Sequence, residues 1–271
     1  MYYFQNVNNV GVIKRIPQLE LGSNAATDVA DSYISLTIDY YNKSLIHSER
    51  AKRYLKQRNI FNMDIIKHFK LGFADRTLGK SLKKLSYMQE EQIRGSLQCS
   101  GLLKPSGHEF FHGAVVFPFV DEDGKVTGAY GRRISRKLRS GSVYHLHWLS
   151  EDTTFFNLKA LSNFKVVVLC KNPIDALSLI NMDYPGVIGL MGMHLFSGEH
   201  IKVLLKYGAD AVLLACKKCA YTNRIKDRLN KVGISSCYVT LPKGKDINQC
   251  IGAYDLYKPI SMAMRRCNAL H

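Results

Sequence analysis

The sequence predicts an α/β protein, with a mainly parallel sheet flanked by helices in its second half and a helical and β-hairpin region before it. Three observations carry this. From about residue 163, short runs rich in Val, Leu and Ile alternate with helical stretches, the pattern of a parallel sheet with both faces covered. Earlier, two strand-like runs at 113–120 and 125–131 frame Asp121-Glu-Asp-Gly124, a hairpin turn with Gly where positive φ is needed. Before the hairpin, apolar residues recur at helical spacing. A chain of 271 residues suffices for one large domain or two smaller ones.

Residues 1–29 are polar and Asn-rich, broken by Pro17 and Gly22, and are expected as a lead segment with little structure of its own. A first subdomain is expected over 30–160. There Asp31-Ser32 caps a helix whose Ile34, Ile38, Tyr41 and Leu45 share a face. A second helix starts at Ser48, with Ala51, Tyr54 and Leu55 on its apolar side, and ends near Asn59. A third covers 63–69. The basic, polar stretch 76–84 reads as a connection, and a further helix lies around 89–97. After the hairpin, residues 132–139 hold Arg132, Arg133, Arg136, Lys137 and Arg139. A second domain is expected over 161–256, with strands at 164–169, 186–190, 211–215 and 235–241 and helices at 174–181, 198–207 and 222–231. Residues 257–271 are expected as a C-terminal tail.

Lys and Arg total 38 against 22 Asp and Glu, a formal charge of +16 that favours a polyanionic partner. Nucleic acid comes before an anionic membrane surface, because no segment reads as a basic amphipathic helix with a broad apolar face. No apolar run approaches a membrane span, and the N-terminus lacks the basic-then-apolar pattern of a signal peptide. A soluble, cytoplasmic protein is expected. The seven cysteines are odd in number and irregular in spacing, which argues against a disulfide scaffold.

Several segments, in order, carry a family resemblance. They are Arg53-Tyr-Leu-Lys-Gln-Arg-Asn-Ile60 with Phe69-Lys-Leu-Gly-Phe-Ala74; Gly107-His-Glu-Phe-Phe-His-Gly113 with Val116-Phe-Pro-Phe-Val120; Tyr130-Gly-Arg-Arg133; Tyr144-His-Leu-His-Trp-Leu149 with Phe155-Phe-Asn157; and Pro173-Ile-Asp-Ala-Leu-Ser178, Gly192 and Leu241-Pro-Lys-Gly-Lys-Asp-Ile-Asn248. Over roughly 30–252 the chain resembles the DnaG-type bacterial DNA primase core with its Toprim domain, and most closely the primase-like proteins of mobile elements. The resemblance implies a primase-core subdomain followed by a Toprim-like sheet. The family's zinc finger is not found in this sequence.

In that family a Glu and an Asp-x-Asp at adjacent strand ends hold Mg²⁺, a hard ion that needs oxygen ligands and clamps the reacting oxygens of phosphoryl transfer. This sequence places Lys171 at the Glu position and Lys217 and Cys219 at the acidic positions of the turn, while Asp175 and Asp246 survive. At an effective dielectric near 20, unit charges about 4 Å apart interact by roughly 4 kcal/mol, so an ammonium opposes a divalent ion by about 8 kcal/mol. The expectation is no metal, no cofactor, no polymerising activity, and a pocket whose lysines hold phosphate directly.

Other residues join this reading. By similarity to the basic ridge beside the primase site, Arg132 leads a strand-binding surface with Arg133 and Arg136, extended by Arg58, Lys70, His145, Lys171, Lys217 and Lys245. Tyr130, Tyr144 and Trp148 are stacking candidates, with core packing as the plainer role for each. His108, His112 and His147 read as structural. Cys216-x-x-Cys219 supplies only half of a structural zinc site. It reads either as two small residues filling the degenerate turn or as a redox pair, which would need a helix N-terminus to lower a thiol pKa. The partner expected is single-stranded DNA or primer–template, with a helicase or polymerase as a further candidate. Two alternatives stay open: an active primase with a rearranged Mg²⁺ site built on Asp175, Asp246 and Asp210, and an interaction protein of a replication complex.

Overall fold

The computed structural model describes residues 2–5, 25–135 and 137–268. Most of the expected lead segment, and Arg136, lie outside them. The chain divides into two compact units. One holds Met63–Thr153 with the described residues before Lys56, and the other holds Lys56–Asn62 with the described residues after Thr153. Among the described residues no helix is long and apolar enough to cross a membrane.

The first unit is built on an antiparallel sheet of β1 (Tyr2–Gln5), β2 (Gly72–Phe73), β3 (Ala114–Val120), β4 (Val126–Arg133) and β5 (His145–Ser150), in the order β1-β5-β4-β3-β2. The hairpin of β3 and β4 is in register from Ala114↔Arg133 to Phe119↔Gly128. At its turn Asp121 Oδ1 accepts the N–H groups of Asp123 and Lys125, and Gly124 has φ +84°. β1 was expected to be unstructured, yet it pairs antiparallel with β5 at the sheet edge.

Helix α1 (Ala25–His47) buries Ile34, Ile38, Tyr41 and Leu45, each 1% exposed or less. It begins six residues before the expected cap, because the alanines and Val29 ahead of Asp31 continue the helix. Asp31 is interior to the helix and pairs with Lys125 at 2.7 Å. Then come α2 (Glu49–Gln57), α3 (Met63–His68), α4 (Leu78–Leu82) and α5 (Tyr87–Cys99). The stretch expected as a connection thus contains α4, a five-residue helix anchored by Leu78 and Leu82 one turn apart. Trp148 is fully buried and donates its indole N–H to the Ser100 carbonyl at 2.7 Å.

The second unit carries a parallel sheet of β6 (Val166–Cys170), β7 (Val187–Gly189), β8 (Ala211–Ala215) and β9 (Ser235–Tyr238), in the order β7-β6-β8-β9. Around it lie α6 (Ala160–Asn163), α7 (Pro173–Ile180), α8 (Gly198–Lys206), α9 (Ala220–Lys231), α10 (Ile247–Cys250) and α11 (Tyr257–Asn268). β8 is buried at every position, as its unbroken apolar run requires. Phe155, Leu158 and Ala160 belong to this unit's core, and Phe156 bridges Gly189, so the division falls at Thr153 rather than at 160. The segment expected as a tail is α11. Its Ile260, Ala263 and Cys267 fall on one helical face and are buried where the helix packs on β9.

The tightest approach in the first sheet is at Gly131, where a Cβ would lie 2.4 Å from the Phe111 ring, itself fully buried. Gly131→Ala is expected to cost about 1–3 kcal/mol by overpacking. Urea denaturation of the variant beside the parent measures it, and an unchanged midpoint would contradict the packing described.

Candidate functional site

Two polar regions stand out, one in each unit. In the second unit β6 and β8 run parallel with Cys170 opposite Ala215, so Lys171 and Cys216 start from the same carboxyl edge. Asn172 caps α7, its Oδ1 accepting the Asp175 N–H at 2.9 Å, and Pro173 sets the first turn. This places Asp175 in the interior, 1% exposed. Its carboxylate accepts the Asn248 backbone N–H at 3.0 Å and the Asn172 amide at 3.3 Å. Asp246 caps α10 by accepting the Gln249 N–H at 2.9 Å. The Lys171 Nζ lies 2.8 Å from Asp246 Oδ2 and 3.7 Å from Asp175 Oδ2, between the two surviving acids. Arg58 closes the network: its guanidinium donates to Asn248 Oδ1 at 3.2 Å, and its carbonyl accepts from Asn248 Nδ2 at 2.6 Å.

Burial lifts the Asp175 carboxyl to about 6; Lys171 is the strongest pull the other way, and the Asp246 charge adds to the rise. Burial also opposes charge on Lys171, but Asp175 and Asp246 outweigh it and hold the ammonium above its ordinary range. Lys171 is paired with both carboxylates while its side chain stays 37% exposed, so a phosphate there would compete with Asp175 and Asp246 for it. Lys217, Cys219 and Lys245 are exposed on the turns that follow β8 and precede α10. Asp210 sits before β8, at the amino end, a five-residue strand or roughly 17 Å away from the carboxyl edge. It cannot join Asp175 and Asp246. Among the described residues no three His, Cys, Asp or Glu side chains gather as metal ligands do.

The first unit holds a cleft of about 840 Å³. Eight cations line it: Arg76, Lys80, Lys83, Arg94, Lys104, Arg133, Lys137 and Arg139. One carboxyl, Glu109, lies in its wall. Glu109 is buried and accepts the Leu78 N–H at 3.1 Å, tying the start of α4 to the loop before β3. Burial pushes Glu109 up to about 7, against the pull of that N–H. Arg76 and Lys80 reach the cleft from the start of α4. The Arg76 guanidinium passes 3.6 Å from where a Cβ would stand on Gly113, whose φ is +72°. Arg94 is held by Glu90 at 2.5 Å. His112 has its pKa lowered by burial and by Arg133, Lys104 and Arg76, and its Nε2 faces Arg133 at 3.3 Å.

The sequence reading favoured Arg132, but Arg133 lines the cleft. Consecutive strand residues face opposite sides, and Arg132 turns to His145 and the Tyr144 ring instead. His145 is bonded at 2.6 Å to both the Tyr130 hydroxyl and Arg132, so its ring nitrogens are committed and it is not an open phosphate contact. Tyr130 and Trp148 are core residues; Tyr144 alone of the three is exposed. Lys70 pairs with Asp39 at 2.8 Å, and Arg58 is structural. The cations missed are Arg76, Lys80, Lys83, Arg94 and Lys104. The run of basic residues from Arg76 to Lys84 was the available signal.

Residues 40–157 match the model of the DNA primase catalytic core, N-terminal domain. Over those residues the chain is similar to that domain. The cleft lies wholly within this matched stretch. The chain is also similar to curated DNA primases. It is 26% identical over 241 residues to a DNA primase of Clostridium acetobutylicum, covering 82% of this chain and 39% of that one. It spans less than half the length of each curated DNA primase it matches. Its fold is that of a DnaG catalytic core structure, with a TM-score of 0.71 at 18% identity, over 88% of this chain and 79% of that one. A DnaG primase catalytic domain bound to ssDNA is similar at a TM-score of 0.68 and 18% identity, over 90% and 83% of the two chains.

Folding raises the Asp175 pKa from 3.8 to about 6, so its contribution to stability declines as pH climbs through that window. Lys171→Met removes the main force holding it down. The Asp175 carboxyl is expected to titrate above 6, and the variant to be less stable than the parent at pH 8 but to differ less at pH 5, where the carboxyl is neutral. Carbon-detected NMR titration and urea melts at both pH values check this. An Asp175 pKa that stays put would contradict the pairing.

Proposed function

We propose that this primase-related protein grips a single strand of nucleic acid in the cationic cleft of its first unit and does not polymerise primers. The observation that carries the reading is the cleft itself: eight cations, one of them (Arg94) paired with Glu90, surround about 840 Å³ with one buried carboxyl in the wall. A strand releases condensed counterions as its phosphates meet such a wall, which makes binding favourable and steeply salt-dependent. That the similar DnaG catalytic domain was solved bound to ssDNA supports a strand as the occupant.

The second unit supports the absence of polymerisation. A divalent ion does not fit the residues present at the Toprim-like edge. It would have to displace the Lys171 ammonium from between Asp175 and Asp246, and no third carboxylate stands near them in place of the family's Glu and Asp-x-Asp. Lys171 neutralises the two acids that a metal would otherwise hold. The reading therefore shifts strand contact from the Lys171–Lys217 edge to the cleft, with Lys217 and Lys245 as exposed charges around that edge. The setting proposed is replication or maintenance of a mobile element, in the cytoplasm, with a helicase or polymerase partner.

Purified protein is expected to make no primer from single-stranded template, ribonucleotides and Mg²⁺. It is expected to bind oligothymidylate with an affinity that falls steeply with salt. Lys104→Ala with Arg139→Ala should weaken binding and flatten the slope of log affinity against log salt by about 0.7 per lost phosphate contact. Fluorescence anisotropy over a salt series reads both effects. Unchanged affinity and slope in the double variant, or primer synthesis by the parent, would overturn the proposal.

A further inference from the structure

The turn after β8 carries two cysteines with opposite surroundings. Cys216 continues directly from the strand and is buried. Cys219 is exposed and is the N-cap of α9, a helix of twelve residues. Its Sγ accepts the backbone N–H of Thr222, and its own N–H donates to Thr222 Oγ1 at 3.0 Å. Thr222 Oγ1 also lies 3.6 Å from the sulfur. That threonine is buried, and the Tyr238 hydroxyl donates to it at 3.0 Å, so the donors around Cys219 are fixed by the strand behind them.

A sulfur that accepts hydrogen bonds at a helix N-terminus is stabilised as the thiolate. The Thr222 N–H, then its hydroxyl, then the Tyr221 N–H and the Lys217 charge hold the Cys219 thiol below its ordinary range. Cys216 directly follows β8 and Cys219, three residues on, caps α9, so one short turn carries both; burial pushes the Cys216 thiol up to about 12, and the charge of Cys219 adds to that rise. One thiol is shifted toward its thiolate and open to solvent; the other is held protonated and sheltered. Lys217 and Lys218 stand exposed between them.

We infer that Cys216 and Cys219 form a redox-active dithiol that reacts with small anionic disulfides. The Cys219 thiolate attacks one sulfur of the disulfide RSSR, forming a mixed disulfide and expelling RS⁻, which takes up a proton. Cys216 then loses its proton to solvent and attacks the Cys219 sulfur, expelling the second RS⁻. The protein dithiol is oxidised by two electrons, and one RSSR becomes two RSH. Carboxylates on the disulfide are drawn to Lys217 and Lys218. The inference stands apart from the cleft and from strand binding, since every residue it uses lies at the turn after β8, on α9 or on β9.

The test uses the full chain, with Cys99, exposed at the end of α5, as an internal control. Iodoacetamide at pH 7, followed by peptide mass spectrometry, should alkylate Cys219 several-fold faster than Cys99. Thr222→Val should narrow that ratio. Oxidised glutathione should yield a peptide cross-linked between Cys216 and Cys219. In Cys216→Ser the glutathione adduct should instead accumulate on Cys219, and Cys219→Ser should give neither product. Equal alkylation of Cys219 and Cys99 would overturn the inference, as would oxidation that leaves Cys216 and Cys219 unlinked in the folded parent.

Discussion

A buried carboxyl must be neutralised, and in this protein the neutralising group at Asp175 is a lysine. Asp175 is held 1% exposed by the start of α7, where Asn172 and Pro173 fix its position. Burial alone would drive it to the neutral acid. Lys171 supplies the opposing charge and at the same time reaches Asp246, which caps α10. Asn248, two residues further on, then ties Asp175 and Ser178 to Arg58. One ammonium thereby organises the carboxyl edge of the parallel sheet. Asn248 and Asn181 tie Lys56–Asn62 into the second unit, although that segment lies about a hundred residues earlier in the chain.

That local solution has a consequence for function. The edge where the related enzymes are expected to carry a metal is self-neutralised, and its strongest cation is spent on carboxylates. The second unit keeps Lys217 and Lys245 exposed at that edge, and the densest charge available to a polyanion in the first unit lies in its cleft. There Glu109 acts from below. It fastens the start of α4, the element from which Lys80 projects and which Arg76 precedes. A single-stranded partner fits this division: a wall of fixed cations contacts phosphates without reading sequence, and without a metal to assemble first.

Much of the architecture was readable in the chain. The runs at Val166–Cys170 and Ala211–Ala215 are apolar at every position, which only a doubly covered strand explains. Ile34, Ile38, Tyr41 and Leu45 marked the buried face of α1 correctly, while its start was hidden because a good cap residue, Asp31, sits inside a longer helix. β1 and α4 are too short for periodicity to show. α11 escaped because its three buried positions are separated by Met262, Arg265 and Arg266. At the site, Lys171, Lys217 and Cys219 were visible as residues, but the partner of Lys171 was not. Asp246 lies 75 residues away and only folding brings them together. The cleft was less legible still, since it assembles from four separated stretches. The choice between Arg132 and Arg133 turned on strand parity, which the exact register of β4 decides.

The central claim is that Lys171 occupies the place of a divalent ion, and Mn²⁺ titration followed by electron paramagnetic resonance tests it most directly. The native protein should leave added Mn²⁺ free in solution, whereas Lys171→Glu, which sets a third carboxylate beside Asp175 and Asp246, should bind one ion. Stoichiometric Mn²⁺ bound by the native chain, with signal broadening centred on Asp175 and Asp246, would contradict the account.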